Sequence, residues 1–468
     1  MVIKNVNLAF LKSALDKTEV NSALEWINNQ NKAVNVSVKK VDFEKLEKWK
    51  FDQKKGCIGH DTGSFFSIDG IRVNTTLGKV GQWDQPIINQ PEVGFLGFLV
   101  KEINGVLHFL VQAKIEPGNV NFVQLSPTLQ ATRSNFQQAH NGKQPKYLEY
   151  FKNATEETVL IDQLQSEQGA RFLKKRNRNI IISANDNIEV YENFTWLTLG
   201  QLKSLMQVDN IVNMDTRTVL SGILYGNYNK KAINFSSVFT PQETYKSMLL
   251  KSALSSEGCF NSLNRIFSFI TDLKSNNDLL VKKIPLNVLK DWIVTKDEIY
   301  HKDNDYFKII GVEVEISNRE VLNWYQPMVE PAQEGLCAFV CKNINGLLHF
   351  AVQAKLECGN HDIFEFAPTV QTLTGSYKKT PKDSLPFLEY VLSAKKEQIV
   401  YDTIQSEEGG RFFKEQNRNI LIIADDDLPQ ELPENFIWMT LNQINNLTQY
   451  NNYINIQARN LIASIPFV

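Results

Sequence analysis

The spacing of hydrophobic and polar positions predicts the order of the secondary structure. Apolar residues at helical spacing begin the chain, with Leu11, Leu15, Ala23, Leu24 and Ile27 on one face, and a second short helix is predicted around 43–49. Strands separated by Gly, Asn and Pro turns are predicted over 65–73, 94–101, 106–115 and 122–131. A helix over 157–177, a strand over 179–183 and a helix over 198–206 complete the pattern. This order predicts an α+β domain with a mixed or antiparallel sheet flanked by helices.

The whole pattern is written twice along the chain. Residues 103–133 and 344–374 align without gaps at a shift of 241 residues, and 16 of the 31 positions are identical. LKSAL at 11–15 recurs at 250–254, WDQP at 83–86 becomes WYQP at 324–327, and LQSEQGARFLKKRNRN is echoed by IQSEEGGRFFKEQNRN. Such a long period indicates a tandem domain duplication. We predict an N-terminal copy over 1–228, a linker over 229–242 and a C-terminal copy over 243–468.

Composition excludes several classes of protein. The chain has 468 residues, which is too long for one compact core. Lys plus Arg is 50 and Asp plus Glu is 52, so binding to nucleic acid or to an anionic membrane through bulk charge is not expected. Five Cys without a CxxC pair predict neither a disulfide framework nor a zinc finger. The absence of a secretory leader and of a long apolar run predicts a cytoplasmic protein without membrane attachment.

One face of the strand predicted over 106–115 carries unusual chemistry. Alternation places a histidine, an amide, a cation and a carboxylate in line, and the C-terminal copy retains all four: His108, Gln112, Lys114 and Glu116, which become His349, Gln353, Lys355 and Glu357. Two interpretations remain open. The line is part of a binding site, or it is retained because a buried His or Gln needs fixed partners.

The next predicted strand adds polar residues that differ between the copies. One face carries Gln124, Ser126, Thr128 and Gln130, with Arg133 at its end. The planar guanidinium of an arginine suits a phosphate, but the C-terminal copy has a threonine at the position of Arg133 and a glutamate at the position of Arg72. The simplest interpretation is a working site in the N-terminal copy and a vestigial one in the C-terminal copy. Neutral drift at two surfaces is the alternative.

Other candidates have ordinary structural explanations beside the functional ones. On a helix, Glu167 and Arg171 would share a face and form an ion pair. Trp83 either packs in a core or stacks on a flat base. The chain lacks GxGxxG, GxxxxGK[ST], HExxH and GxSxG, and its histidines have no metal-ligand spacing. We therefore predict neither a cofactor nor a metal.

Several of these segments together resemble the NDP-hexose 2,3-dehydratases. They are HDTGSFFSIDGIRV at 60–73, WDQPIINQPEVGFLG at 83–97, GVLHFLVQAKIEPGN at 105–119, VQLSPTLQATRSN at 123–135, YLEYF and LQSEQGARFLKKRNRN. The resemblance implies tandem Nudix-like folds, a homodimer, a dTDP-linked 4-keto-6-deoxyhexose substrate and one functional site per chain, in the N-terminal copy. The carboxylate-rich motif of Nudix hydrolases is missing from both copies, so hydrolysis is not expected.

The implied reaction needs no electron transfer. A ketone at C4 acidifies the hydrogen on C3, a base removes that proton, and the O4 enolate expels the C2 hydroxyl with help from an acid. The enol then becomes a 3,4-diketone, which a downstream NADPH-dependent 3-ketoreductase would consume. The catalytic candidates are His60, Lys114, Glu116, Tyr147 and Glu149. The substrate-binding candidates are Thr62, Gly63, Arg72, Trp83, Gln85, Gln124, Ser126, Thr128, Gln130, Arg133, Glu167 and Arg171.

Among these candidates, Lys114 is assigned to the O4 enolate or a phosphate, because a neighbouring carboxylate favours its charged form. Glu116 or His60 is the candidate base, and Tyr147 the candidate proton donor. An ion pair that only orders the strand is the alternative for Glu116. Two other functions remain open: a Nudix-type nucleotide-sugar pyrophosphatase with divergent carboxylates, and a non-catalytic protein that binds sugar nucleotides.

Overall fold

The structure is a computed structural model that describes residues 5–78, 80–132, 144–184, 187–237, 244–317, 322–373 and 385–467. These residues form two similar α+β halves that match the duplication in the sequence. In the part of the chain that is described, no helix is long and apolar enough to cross a membrane.

The N-terminal copy begins with two helices and continues through nine strands, one helix, three strands and three helices. Its helices are α1 (Val6–Ala14), α2 (Asn21–Lys32), α3 (Leu148–Lys152), α4 (Leu199–Leu205), α5 (Met214–Leu220) and α6 (Lys230–Ser237). Its strands are β1 (Val36–Val41), β2 (Trp49–Asp52), β3 (Cys57–His60), β4 (Ser67–Thr75), β5 (Gln82–Asn89), β6 (Gly94–Ile103), β7 (Val106–Ile115), β8 (Val123–Ser126), β9 (Leu129–Ala131), β10 (Val159–Ser166), β11 (Arg176–Ser183) and β12 (Phe194–Thr198).

The C-terminal copy repeats this order. Its helices are α7 (Tyr245–Leu254), α8 (Leu263–Ser275), α9 (Leu388–Leu392), α10 (Leu441–Leu447) and α11 (Ile456–Ala463). Its strands are β13 (Leu279–Ile284), β14 (Trp292–Val294), β15 (Glu298–His301), β16 (Phe307–Ile316), β17 (Asn323–Pro331), β18 (Gly335–Ile344), β19 (Leu347–Leu356), β20 (Phe364–Ala367), β21 (Val370–Leu373), β22 (Ile399–Ser406), β23 (Gln416–Ile423) and β24 (Phe436–Thr440).

Each copy builds one large mixed sheet. In the N-terminal copy the order is β10-β11-β6-β7-β12, with β8 on β7 and β9 on β6, and the C-terminal copy repeats it. The β6–β11 pair is parallel, whereas the other pairs in this sheet are antiparallel. The predicted α+β class with a mixed sheet is therefore confirmed.

The two small sheets are shared between the copies. Strand β1 of the N-terminal copy pairs with β16 of the C-terminal copy over six residues, and β13 of the C-terminal copy pairs in return with β4. The apolar core is shared as well, since one continuous cluster contains Phe98 and Phe109 from one copy and Phe339 and Phe350 from the other. The two copies thus exchange their first strands and are interlocked within one chain.

Buried polar contacts strengthen this interlock. Arg217 on α5 donates to the carbonyl of Ser406, and its counterpart Arg459 on α11 donates to the carbonyl of Ser166. Both arginines are at most 1% exposed. A buried cation without a partner is very costly, so each copy depends on the other to satisfy its arginine.

The helix predicted over 157–177 is wrong. Residues 159–166 and 176–183 form the antiparallel pair β10 and β11, and Arg178 binds Asp162 across it with two hydrogen bonds of 2.7 and 2.5 Å. The expected helical pairing of Glu167 with Arg171 is therefore absent, because both residues lie in the connection between the strands. The sheet gains backbone hydrogen bonds with β6, which the local sequence pattern does not reveal.

Other elements differ in detail from the prediction. The amino-terminal helix is two helices, because α1 ends at Ala14 and α2 begins at Asn21. The predicted helix at 43–49 is a single 3₁₀ turn, Phe43–Lys45, followed by β2. The strand predicted over 122–131 is interrupted between β8 and β9. Part of the predicted linker over 229–242 is helical in α6, and the remainder from 238 lies outside the described residues.

Separating the copies tests the interlock. We expect residues 1–237 and residues 244–468, each expressed alone, to be insoluble or unfolded, because each has lost a strand partner and an acceptor for a buried arginine. Expressed together, the two pieces should co-purify as a folded complex, which size-exclusion chromatography and circular dichroism would detect. A folded, monomeric N-terminal piece would contradict the interlock.

Candidate active site

The centre of the site is the end of β7. Lys114 and Glu116 form an ion pair, with 3.2 Å from Lys114 Nζ to Glu116 Oε1, and Glu116 is only 4% exposed. Gln130 donates a hydrogen bond of 2.7 Å to the same oxygen, and Asn119 donates one of 3.4 Å to Oε2. A carboxylate held by a cation and two amides is fixed in position.

A second carboxyl group, that of Asp215, interacts electrostatically with Glu116 and Lys114. Ser126 and Asn213 both donate to Gln130 Oε1, at 2.9 and 3.5 Å, and Asn213 also caps helix α5, on which Asp215 lies. Asp215 is 4% exposed, and burial raises the pKa of its carboxyl well above the ordinary value, with the charge of Glu116 adding to the effect. The buried carboxyl of Asp215 therefore holds its proton more tightly than an exposed aspartic acid does.

The C-terminal copy supplies the opposite wall. The amide of Gly118 donates to the carbonyl of Gly409 at 2.7 Å, and a Cβ added to Gly409 would lie 2.9 Å from the Cβ of Glu116. This contact places the segment that contains Glu408 and Arg411 beside the end of β7. Burial raises the pKa of Glu408, and the charge of Arg411 opposes this shift. Burial lowers the pKa of Arg411, and the charge of Glu408 opposes that shift.

A further pair lies in the β10–β11 connection. Glu167 is 5% exposed and accepts a hydrogen bond of 2.8 Å from Asn177. Burial, reinforced by the charge of Glu408, raises the pKa of Glu167 to about 7. Burial lowers the pKa of Lys175 to about 8, opposed by the charge of Glu167. The β10–β11 connection therefore contains two groups, Glu167 and Lys175, whose pKa values lie near neutral pH.

The equivalent site of the C-terminal copy has a different set of charged groups. Gln371 donates to Glu357 at 2.8 Å, as Gln130 does to Glu116, but Lys355 donates to the carbonyl of Gln371 at 3.3 Å. The position of Asp215 is occupied by Gln457. The position of Glu408 is occupied by Gln168, which donates to Glu407. The C-terminal copy therefore lacks the counterparts of Asp215 and Glu408, but it has the buried carboxyl of Glu365 where the N-terminal copy has Gln124.

The polar face predicted on β8 and β9 divides between the site and the scaffold. Ser126 and Gln130 belong to the network around Glu116. Gln124, by contrast, donates its two amide hydrogens to Asn121 and Ser406, at 2.9 and 2.7 Å. Thr128 donates to the Leu110 carbonyl and accepts from the Leu99 amide, so it ties strands together.

The two predicted phosphate-binding arginines fare differently. Arg72 binds Asp84 with two hydrogen bonds of 2.8 Å. In the C-terminal copy the same pair is Glu313 and Tyr325, joined by a hydrogen bond of 2.8 Å. The change from Arg72 to glutamate is therefore matched by its partner, which favours a structural pair over a lost phosphate site. Arg133 lies outside the described residues.

The predicted residues on β3, in the turn after it and on β5 contact other parts of the fold. His60 Nδ1 lies 2.7 Å from Thr62 Oγ1 in an exposed turn that also contains Gly63, and the His60 ring packs edge-on against Trp49. Trp83 donates to Gln85 at 2.9 Å, and Gln85 donates to the Ala170 carbonyl at 3.0 Å. This chain of contacts anchors the β10–β11 connection.

Three other predicted residues have partners away from Glu116. The Tyr147 hydroxyl donates to the Glu189 carbonyl at 2.8 Å within an apolar cluster, and burial raises its pKa. Glu149 is exposed and pairs with Lys152 at 3.1 Å. Arg171 lies 3.8 Å from Glu415 of the C-terminal copy. The structure therefore brings Lys114, Glu116, Ser126 and Gln130 together, and leaves these three apart from them.

The retained histidines on β7 and β19 have structural partners. His349 accepts from the Phe260 amide at 2.9 Å and contacts the Leu347 carbonyl, and His108 contacts the Val106 carbonyl in the same way. Elsewhere, His301, Asp303 and Asp305 offer ligand atoms within 4.8 Å of one another, a grouping that the spacing of the histidines did not indicate.

The sequence interpretation missed Asp215, Asn119, Asn213, Glu408 and Arg411. Two of these could have been found by comparing more of the two copies, because Asp215 aligns with Gln457 and Glu408 aligns with Gln168. Their meeting with Glu116 was not accessible, since the contact of Gly118 with Gly409 depends on the packing of one copy on the other.

Comparison with known proteins settles the family. The family model described as NDP-hexose 2,3-dehydratase matches residues 20–223 and again residues 263–465. The chain belongs to the NDP-hexose 2,3-dehydratase family.

Three relatives carry the name dTDP-4-dehydro-6-deoxy-alpha-D-glucopyranose 2,3-dehydratase. The protein of Saccharopolyspora spinosa is 43% identical over 94% of this chain and 90% of its own length. Those of Amycolatopsis orientalis and Streptomyces violaceoruber are 40% and 38% identical over 94% of this chain, and over 88% and 95% of their own lengths. The chain is therefore similar to enzymes along nearly its full length, and the predicted resemblance is confirmed.

A buried carboxyl outside the N-terminal site predicts a pH-dependent stability. Ser166 donates to Glu365 at 2.7 Å, and burial raises the pKa of Glu365 to about 7. Between pH 4.5 and 7 the folded chain holds a proton that the unfolded chain has released, so stability falls as pH rises and the loss is complete above 7. Glu365→Gln should therefore unfold at higher denaturant than the wild type at pH 8, and at nearly the same denaturant at pH 5.

The N-terminal copy provides the matched variant for this measurement. Gln124 occupies the equivalent position and donates to Ser406 at 2.7 Å. Gln124→Glu should introduce the same loss of stability above pH 7, of at most about 3 kcal/mol. A Glu365→Gln protein that is less stable than the wild type at pH 8 would show that burial does not raise this pKa.

Proposed function

We propose that this chain removes the C2 hydroxyl and the C3 hydrogen of a dTDP-linked 4-keto-6-deoxyhexose and yields a 3,4-diketo-2,6-dideoxyhexose. Family membership and the names of the relatives support the reaction and the substrate class. The observation that carries the assignment of residues is the fixed ion pair of Glu116 with Lys114 close to the buried carboxyl of Asp215, whose pKa is raised by burial and by the charge of Glu116. Such separation of two carboxyl groups by their environments is what paired acid and base catalysis requires.

In this proposal Glu116 removes the proton from C3. Its two oxygens are held by Lys114, Gln130 and Asn119, so little reorganisation accompanies proton transfer. Lys114 is one-fifth exposed, which leaves its ammonium accessible to the substrate. It stabilises the negative charge that develops on O4 when the enolate forms.

Asp215 is the proposed acid. Burial keeps its carboxyl protonated, so it can donate a proton to the C2 hydroxyl as that group departs as water. This assignment replaces Tyr147, whose hydroxyl is already engaged with the Glu189 carbonyl. Proton movement, rather than oxidation or reduction, accounts for every step, so the balance needs no electron carrier.

The same proposal extends to fold, class, assembly and location. Each half is proposed to be Nudix-like, supported by a mixed sheet flanked by helices, and the reaction class is that of a carbon–oxygen lyase. The diketone product needs prompt reduction, which supports a downstream NADPH-dependent 3-ketoreductase as partner. We also propose a homodimer, as the resemblance implies. We further propose a cytoplasmic location, which the five unpaired cysteines support.

One assay separates this function from its rivals. The protein is incubated with dTDP-4-keto-6-deoxyglucose, a 3-ketoreductase and NADPH, and the nucleotide sugar is weighed by mass spectrometry. Loss of one water with consumption of NADPH is the expected result. Release of a nucleoside monophosphate would indicate a pyrophosphatase, and an unchanged substrate would indicate a binding protein.

Isotope exchange tests the role of Glu116. In D₂O, Glu116→Gln should lose both exchange at C3 and elimination, because both begin with proton removal. Asp215→Asn should lose elimination and retain exchange, because it lacks only the acid. Proton NMR of the sugar measures both. Glu357→Gln, the same change in the C-terminal copy, is the control and should behave as the wild type.

A parallel comparison of lysines tests the single working site. Lys114→Ala should lower kcat by at least about a hundredfold, the scale of losing one oxyanion partner. Lys355→Ala should leave turnover nearly unchanged, since the C-terminal site lacks the counterparts of Asp215 and Glu408. Equal damage from the two variants would show that both copies are catalytic.

A further inference from the structure

We propose that the C-terminal copy completes the working site of the N-terminal copy, with Glu408 and Arg411 as positioning residues that set the proton affinity of the base Glu116. This inference rests on the proposed dehydratase function. It makes the C-terminal copy part of the catalytic unit, although its own site is vestigial.

The first support is the rigid attachment of the Glu408 segment. Gly118 donates to Gly409, and Lys414 donates back to Gly118, both at 2.7 Å. A Cβ on Gly118 would lie 1.7 Å from the Phe412 carbonyl, so the two backbones are in direct contact. From the other side, Gln326 donates to the Gly410 carbonyl at 2.8 Å. The segment therefore cannot move away from Glu116 without breaking several backbone contacts.

The second support comes from buried polar atoms in the segment that contains Glu408 and Arg411. Within the described residues, Glu408 Oε2 and Arg411 Nε are buried and have no hydrogen-bond partner. Buried polar atoms of this kind are costly and are expected to find partners in the working state. The mirror residue Gln168 differs from Glu408, because its amide donates to Glu407, whereas the Nε of Arg171, the mirror of Arg411, likewise has no partner among the described residues.

The third support is charge. The charge of Glu116 acts on both Glu408 and Arg411, so the three groups form one electrostatic unit. A neighbouring carboxylate makes a base hold a proton more tightly, and a neighbouring guanidinium does the reverse. Arg411 is itself held over the Phe66 ring, 4.3 Å from its centre. The balance of the two groups thus adjusts how readily Glu116 accepts the C3 proton.

The asymmetry between the copies fits this role. In the C-terminal site the residue facing Glu357 from the other copy is the neutral Gln168, and the acid position is Gln457. Arg171, the mirror of Arg411, remains and lies 3.8 Å from Glu415. The carboxylate that adjusts the base is therefore present only where the acid is present.

The test is the pH profile of kcat/KM for the full-length protein acting on dTDP-4-keto-6-deoxyglucose. Glu408→Gln should move the acid limb to lower pH by about one unit and lower kcat about tenfold, because a weaker base removes the proton more slowly. KM should change by less than about threefold. Glutamine already occupies the mirror position, so the fold accepts it. An unchanged profile would overturn the proposal.

A second variant is expected to shift the acid limb of the pH profile in the opposite direction. Arg411→Gln removes the cation, so the acid limb should move to higher pH, a shift that loss of packing does not produce. If Glu408→Gln failed to fold, the limb of Arg411→Gln alone would decide, and an unmoved limb would overturn the proposal. Glu357→Gln is the matched control and should keep the wild-type profile.

The outcomes also separate this inference from the proposed function. A wild-type protein without elimination activity would refute the dehydratase assignment. An active wild type that is abolished by Glu116→Gln but has an unmoved limb in both the Glu408 and the Arg411 variants would retain the function and refute the contribution of the C-terminal copy.

Discussion

The contact between glycine backbones of the two copies is the constraint on which the rest of the structure depends. Gly118 bonds to Gly409, and by the same pattern Gly359 bonds to Gly169, each at 2.7 Å. At all four positions an added Cβ would lie closer than 2.5 Å to a backbone or side-chain oxygen of the other copy. Only glycine permits this approach. The contact places the β10–β11 or β22–β23 connection of one copy against the polar strand end of the other.

This arrangement explains how a duplicated chain can specialise without losing a copy. The exchanged strands β1 and β13 and the arginines Arg217 and Arg459 make each half a structural requirement of the other. The C-terminal copy has Gln457 at the position of Asp215, while its β22–β23 connection packs against the end of β7 in the N-terminal copy. Matched changes such as Arg72–Asp84 to Glu313–Tyr325 show that structural pairs changed together.

Much of this was accessible from the sequence, and the remainder was not for physical reasons. The duplication, the α+β class and the pairing of Lys114 with Glu116 follow from period and alternation, which are local properties. The helix predicted over 157–177 was wrong because β11 is stabilised by its parallel neighbour β6, whose paired residues lie 83 positions earlier in the chain. Asp215 and Glu408 escaped because no local pattern reveals which residues of two copies will meet.

The most direct measurement of the central claim is a crystal structure with an unreactive dTDP-linked 6-deoxyhexose that lacks the 4-ketone. We predict that C2 and C3 of the hexose lie beside Glu116 and Lys114, with Glu408 of the C-terminal copy close to the same bound hexose. A hexose bound beside Lys355 and Glu357 instead, or one that leaves Glu116 and Glu408 on separate surfaces, would contradict it.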